Sequence, residues 1–94
     1  MLQAQFLIPA SLIKDAVTID ASSTAQDVVL TYEATQVRAT PVEDGTCSIR
    51  INGTCSETDG EWDVYVVAPD TGFTVPKGTT LSVVGDGTIK LTSF

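Results

Sequence analysis

The sequence predicts an all-β fold, a single β-sandwich or jelly-roll-like domain of about seven to eight short strands. Apolar and polar residues alternate with period two along most of the chain, and no window shows the period of an amphipathic helix. Turn-forming residues separate these alternating runs at regular spacing. The 94 residues are enough for one domain. We divide the chain into an apolar N-terminal arm, residues 1–13, and a β domain, residues 14–94.

The predicted strands follow from the alternating runs, each of which places its apolar side chains on one face. In chain order these faces are Val17 and Ile19; Val28, Leu30 and Tyr32; Val37 and Ala39; Cys47, Ile49 and Ile51; Trp62, Val64, Val66 and Ala68; Leu81 and Val83; and Ile89 and Leu91. Residues that accept positive φ or fix φ stand between the runs and predict turns. These turns are expected at residues 43–45, 52–53, 59–60, 69–72, 76–78 and 85–87.

The turn at residues 52–53 bears on the two cysteines. A two-residue hairpin there would place Arg50 opposite Cys55 and Cys47 opposite Thr58. A disulfide needs its two Cα atoms within about 7 Å, so this register favours free, buried thiols. A wider, odd-numbered loop centred on Ile51 would instead bring the cysteines together.

The N-terminal arm places Leu2, Ala4, Phe6 and Ile8 on one face if it is extended. Such an arm either adds a strand to its own sheet or lies on a neighbouring subunit. It lacks the basic region of a signal peptide, so we expect synthesis in a cytoplasm.

The charge balance narrows the choice of partners. The formal net charge is −7, and the five basic residues are scattered along the chain. Such a surface repels phosphates and anionic lipids, so neither nucleic acid nor a membrane is an expected partner.

The residue types also argue against catalysis. The chain has no histidine, which excludes Ser-His-Asp and Cys-His arrangements within one chain. We expect no enzymatic activity, no catalytic residue and no cofactor. The alternating acids Glu57, Asp59, Glu61 and Asp63 are of the residue type that binds calcium. They supply fewer oxygen ligands than calcium needs. We therefore expect a solvated acidic turn and no metal site.

The aromatic residues near the acidic series lie on different faces of a predicted strand. Trp62 heads the most apolar face, which predicts a place in or at the edge of the core. Tyr65 lies on the opposite face with Asp63 and Val67. That face is half apolar, which indicates contact with another sheet, an arm or another subunit.

The C-terminal third contains the run Gly72-Phe73-Thr74-Val75-Pro76-Lys77-Gly78-Thr79, a glycine-rich turn at residues 85–87 and a last strand ending near Thr92. These motifs, with residues 36–40 and 47–53, resemble small β-sandwich virion proteins of tailed bacteriophages. The resemblance covers residues 16–94. It implies a subunit that decorates or cements a phage head, often as a trimer.

We therefore expect a capsid decoration or cement protein that bridges capsid subunits in the virion. Its expected partners are the major capsid protein or other virion proteins, and copies of itself in a homo-oligomer such as a trimer. The expected interface residues are Leu2, Phe6, Ile8, Tyr65 and Val67. The alternative is an adhesion module, such as a tail or fibre tip or a carbohydrate-binding domain.

Overall fold

A computed structural model describes residues 13–31 and 33–94. Within these ranges the chain is all-β, with six strands and no helix, which confirms the all-β part of the predicted fold class. The strands are β1 (Asp15–Ala21), β2 (Gln26–Val29), β3 (Gln36–Ile51), β4 (Val64–Val66), β5 (Thr71–Thr74) and β6 (Thr80–Ser93). The predicted count of seven to eight short strands is not confirmed.

Two long strands organise the sheet. The 16-residue β3 and the 14-residue β6 pair with each other from Val37 opposite Ser93 to Ile51 opposite Leu81. β1 and β2 pair with the C-terminal and N-terminal parts of β6. β5 and β4 pair with the N-terminal and C-terminal parts of β3. Every pairing is antiparallel. Because β1 and β5 flank one end of the β3–β6 pair and β2 and β4 flank the other, the sheet has two halves that share both central strands.

The two halves meet at a bulge in β3. Three residues, Glu43, Asp44 and Gly45, lie opposite the single Gly87, and the register shifts between Val42 and Thr46. Glu43 has φ 59° and Gly87 has φ 89°. The predicted turns at residues 43–45 and 85–87 were therefore wrong, because a bulge uses the same positive-φ residues without ending the strand.

Close backbone contact beside the bulge explains why residue 85 is a glycine. A Cβ atom on this residue would lie 2.3 Å from the Thr46 carbonyl oxygen and 2.5 Å from the Cys47 Cα. Glycine is required here because no side chain fits between the two central strands.

One hydrophobic core joins the two halves of the sheet. Its fully buried members include Val37, Ile89 and Leu91 from one half and Ile49 and Leu81 from the other. Each such side chain contributes about 1.5–3 kcal/mol relative to an exposed position. The halves therefore stabilise each other through this shared core.

Candidate interaction surface

Residues 52–63, here called the acidic loop, connect β3 to β4. The predicted two-residue hairpin at Asn52 does not form, since the strand paired with this end of β3 begins at Val64, opposite Ile49. Asn52 has the positive φ of a turn, 55°. However, its N–H donates to the Thr80 carbonyl at 2.9 Å, and its side-chain oxygen accepts from the Thr80 N–H at 3.1 Å. These bonds hold Asn52 against β6, so the chain does not fold straight back.

The acidic loop covers the face of the sheet opposite the core. Ser48 and Ser82 point to this face, because their strand neighbours Ile49 and Leu81 point into the core. Cys55 is buried beside them: its N–H donates to the Ser82 hydroxyl at 2.9 Å, and its thiol donates to the Ser48 carbonyl at 3.3 Å. The loop is therefore fixed to the sheet by buried hydrogen bonds.

The four carboxylates of the acidic loop each accept a hydrogen bond from a different partner. The pairs are Glu57 with the Ser48 hydroxyl at 2.7 Å, Asp59 with the Ser56 hydroxyl at 3.0 Å, Glu61 with the Arg50 guanidinium, and Asp63 with the Ile51 N–H at 2.8 Å. Within residues 13–31 and 33–94, no three His, Cys, Asp or Glu side chains are grouped to hold a metal ion. The carboxylates fasten the loop to itself and to β3.

Both cysteines are free and buried, as the sequence predicted. The predicted register was wrong, since Cys47 lies opposite Val66 and not Thr58. Burial, with smaller effects from Cys55 and Glu57, raises the pKa of the Cys47 thiol to about 12. Burial also raises the pKa of Cys55. Both thiols are therefore protonated at neutral pH, which makes them poor nucleophiles.

Three exposed apolar side chains at and beside β4 form what we call the aromatic edge patch: Trp62, Tyr65 and Val67. Their exposed fractions are 42%, 46% and 45%. The two rings have centroids 5.8 Å apart and planes inclined by 50°. Among the described strands, β4 pairs with β3 alone, so the patch borders a sheet edge.

The prediction that Trp62 lies in or at the edge of the core was wrong, since Trp62 is exposed and is not among the residues that pack on the core. β4 begins at Val64, so the strand alternation that buries Val66 does not extend back to Trp62. Instead Trp62 belongs to the end of the acidic loop, between Glu61 and Asp63. Its place between two acidic residues was the sequence signal for exposure.

The structure describes only two of the five predicted interface residues. Tyr65 and Val67 are both exposed. Leu2, Phe6 and Ile8 lie outside the described residues. Trp62 is a third exposed residue here, and the residue pattern did not predict its exposure.

Two open clefts are lined by other residues than those of this patch. One, of about 410 Å³, lies between β3 and β5 and includes Phe73 and Phe94; at its edge the Arg38 guanidinium pairs with Asp70 at 3.1 Å. The other, of about 350 Å³, lies at the bulge. Neither cleft is lined by a thiol.

Comparison of the chain with protein families, with curated proteins and with solved structures finds no match. Residues 13–31 and 33–94 contain no helix that is long and apolar enough to cross a membrane.

Proposed function

We propose that the protein is a structural subunit of a tailed-bacteriophage virion, a capsid decoration or cement protein that bridges neighbouring capsid subunits. In this proposal the six-stranded sheet, folded about its bulge, is a β-sandwich or jelly-roll domain that presents contact surfaces. The observation that carries the proposal is the aromatic edge patch, since a tryptophan and a tyrosine are exposed together beside an edge strand.

Tryptophan and tyrosine are the side chains most enriched among residues that dominate protein–protein binding energy. Burying their apolar area at a contact stabilises it by about 25 cal/mol per Å². An exposed edge strand also offers unpaired backbone groups to a neighbour. Both features suit a subunit that works by contact with other proteins.

The chemistry of the chain agrees with a structural role. It contains no histidine, and the two thiols are buried and protonated at neutral pH. Its carboxylates in the acidic loop hold the loop in place, as shown by the bond from Ser48 to Glu57.

We further propose that residues 1–13 form a second contact, with Leu2, Phe6 and Ile8 as apolar anchors on the major capsid protein or another virion protein. The protein would be made in the host cytoplasm and would act as a homo-oligomer such as a trimer. Size-exclusion chromatography with light scattering measures the oligomeric state directly.

A sedimentation experiment tests the proposed function. Capsids assembled without this protein are mixed with the purified chain and pelleted, and the temperature at which they release DNA is recorded. We expect the chain to pellet with the capsids and to raise that temperature. Deletion of residues 1–13 or the change Tyr65→Asp should weaken both effects, whereas Val29→Asp, an exposed apolar position on β2, should not. A chain that stays in the supernatant and leaves DNA release unchanged contradicts the proposal.

The second candidate is an adhesion module, and the exposure of Trp62 with Tyr65 specifically favours it. Sugar rings stack on exposed aromatic side chains in carbohydrate-binding proteins. The 50° inclination between the rings counts against a flat platform for one sugar ring. A glycan array and a calcium-dependent melting temperature test this candidate, and a chain indifferent to both counts against it.

A further inference from the structure

We infer that the aromatic edge patch binds a positively charged segment of a partner protein, with a lysine or arginine side chain held against Trp62 and Tyr65. This inference deepens the proposed function and rests on it in taking the partner to be a protein. It specifies the chemistry of the partner surface, which the proposed function leaves open.

The geometry of the rings suits a compact cation. The Trp62 and Tyr65 centroids are 5.8 Å apart, and the ring planes are inclined by 50°. A cation is attracted to the face of an aromatic ring within about 6 Å of its centroid. Two rings inclined in this way can both approach one ammonium or guanidinium group, although they cannot both lie flat on one planar ligand.

Acidic residues flank Trp62 in the chain, and one carboxylate lies on the same face of the sheet as Tyr65. Ser48 lies directly opposite Tyr65, so both side chains point to the same face, and the Ser48 hydroxyl donates to Glu57 at 2.7 Å. The Glu57 carboxylate is therefore held on the tyrosine side of the sheet. The acidic loop contains four acidic residues and no basic residue. Its neighbour Arg50 is already paired with Glu61.

Charge complementarity selects the partner from the alternatives. Anionic partners, whether nucleic acid or lipid, are repelled by a chain of net charge −7. A second copy of the chain would bring the same negative charge to the patch. A lysine- or arginine-containing protein segment instead gains from both the rings and the carboxylates.

The test uses the fluorescence of Trp62, which is the only tryptophan in the chain. The full chain is titrated with a synthetic peptide of alternating lysine and glycine, and separately with the same peptide carrying glutamate in place of lysine. We expect a saturable change in emission with the lysine peptide alone. Its midpoint should rise with added salt, because salt screens exposed charges over about 10 Å at 0.1 M.

Variants separate the contributions of ring and charge. Tyr65→Leu keeps the apolar contact but removes a ring face, and should weaken binding about twofold to fivefold. Glu57→Gln removes a charge while its amide oxygen still accepts from Ser48, and should also weaken binding. Glu43→Gln is the matched control, because it removes the same charge at the distant bulge. Unchanged melting temperatures show that each variant is folded.

Equal binding of the lysine and glutamate peptides, or an equal effect of Glu57→Gln and Glu43→Gln, would overturn the inference. A saturable response to a neutral oligosaccharide with none to the lysine peptide would also overturn it, in favour of adhesion. The capsid sedimentation experiment distinguishes the two proposals. Co-sedimentation without peptide binding supports the proposed function and contradicts this inference. Peptide binding without co-sedimentation contradicts the proposed function and supports the preference of the patch for a cationic segment.

Discussion

Replacing Gly85 by alanine tests the argument that the two central strands meet too closely for a side chain. The new Cβ would lie 2.3 Å from the Thr46 carbonyl oxygen, whereas ordinary van der Waals contact begins at 3.4 Å. The strands must therefore separate by about 1 Å, and the opposing atoms belong to the backbone, which cannot rotate away.

The expected cost is at the upper end of the range for overpacking, about 3 kcal/mol. For a chain of this size, that loss corresponds to a fall in melting temperature of about 12–24 °C. Urea unfolding followed by circular dichroism measures the free energy of unfolding, and the midpoint should fall while the slope stays constant.

Gly72→Ala is the matched control, because a Cβ on Gly72 would come no closer than 3.8 Å to the nearest atom, the Val37 carbonyl oxygen. We expect its effect to stay within about 0.5 kcal/mol. If Gly85→Ala is as stable as Gly72→Ala, the close approach of β3 and β6 at the bulge is not real.

Three further changes probe the buried groups. The raised pKa of Cys47 keeps its thiol protonated in the folded state, whereas the thiol of the unfolded chain ionises near its ordinary pKa of 9.0. Stability should therefore fall from pH 9 toward about 12, and Cys47→Ala should show a smaller fall in urea unfolding. Ser82→Ala leaves the buried Cys55 N–H without its acceptor and should cost about 1–3 kcal/mol in thermal unfolding. Ser23→Ala, at an exposed serine, should change the stability by less than about 0.5 kcal/mol. Leu81→Ala opens a cavity in the shared core and should cost about 2–5 kcal/mol by urea unfolding, and a value below about 1 kcal/mol would contradict the core assignment.

Local residue patterns were enough to predict the all-β class and much of the core. Period-two alternation correctly placed Val37, Ile49, Leu81 and Ile89 in the interior. It also placed Tyr65 on the face opposite Val66, and in the structure Val66 is buried while Tyr65 is exposed. These predictions succeed because the pleat of a strand sends neighbouring side chains to opposite faces, wherever the strand lies in the sheet.

The turn residues were less informative, because one local conformation serves several structures. Glu43 and Gly87 have the positive φ of turn residues, yet both lie inside continuous strands at a bulge. Asn52 also has positive φ, but its bonds to Thr80 lead into a long loop. Whether such a residue ends a strand depends on the partner strand, which local sequence does not specify.

The sequence alone therefore determined an all-β chain, the alternation that buries much of the core, and a net negative charge. The tertiary structure decided that β3 and β6 run through both halves of the sheet, that the acidic loop folds onto Ser48 and Ser82, and that Trp62 is exposed beside Tyr65. The physical reason is that alternation is a property of one strand, whereas strand continuity, loop docking and exposure arise from contacts between residues distant in the chain.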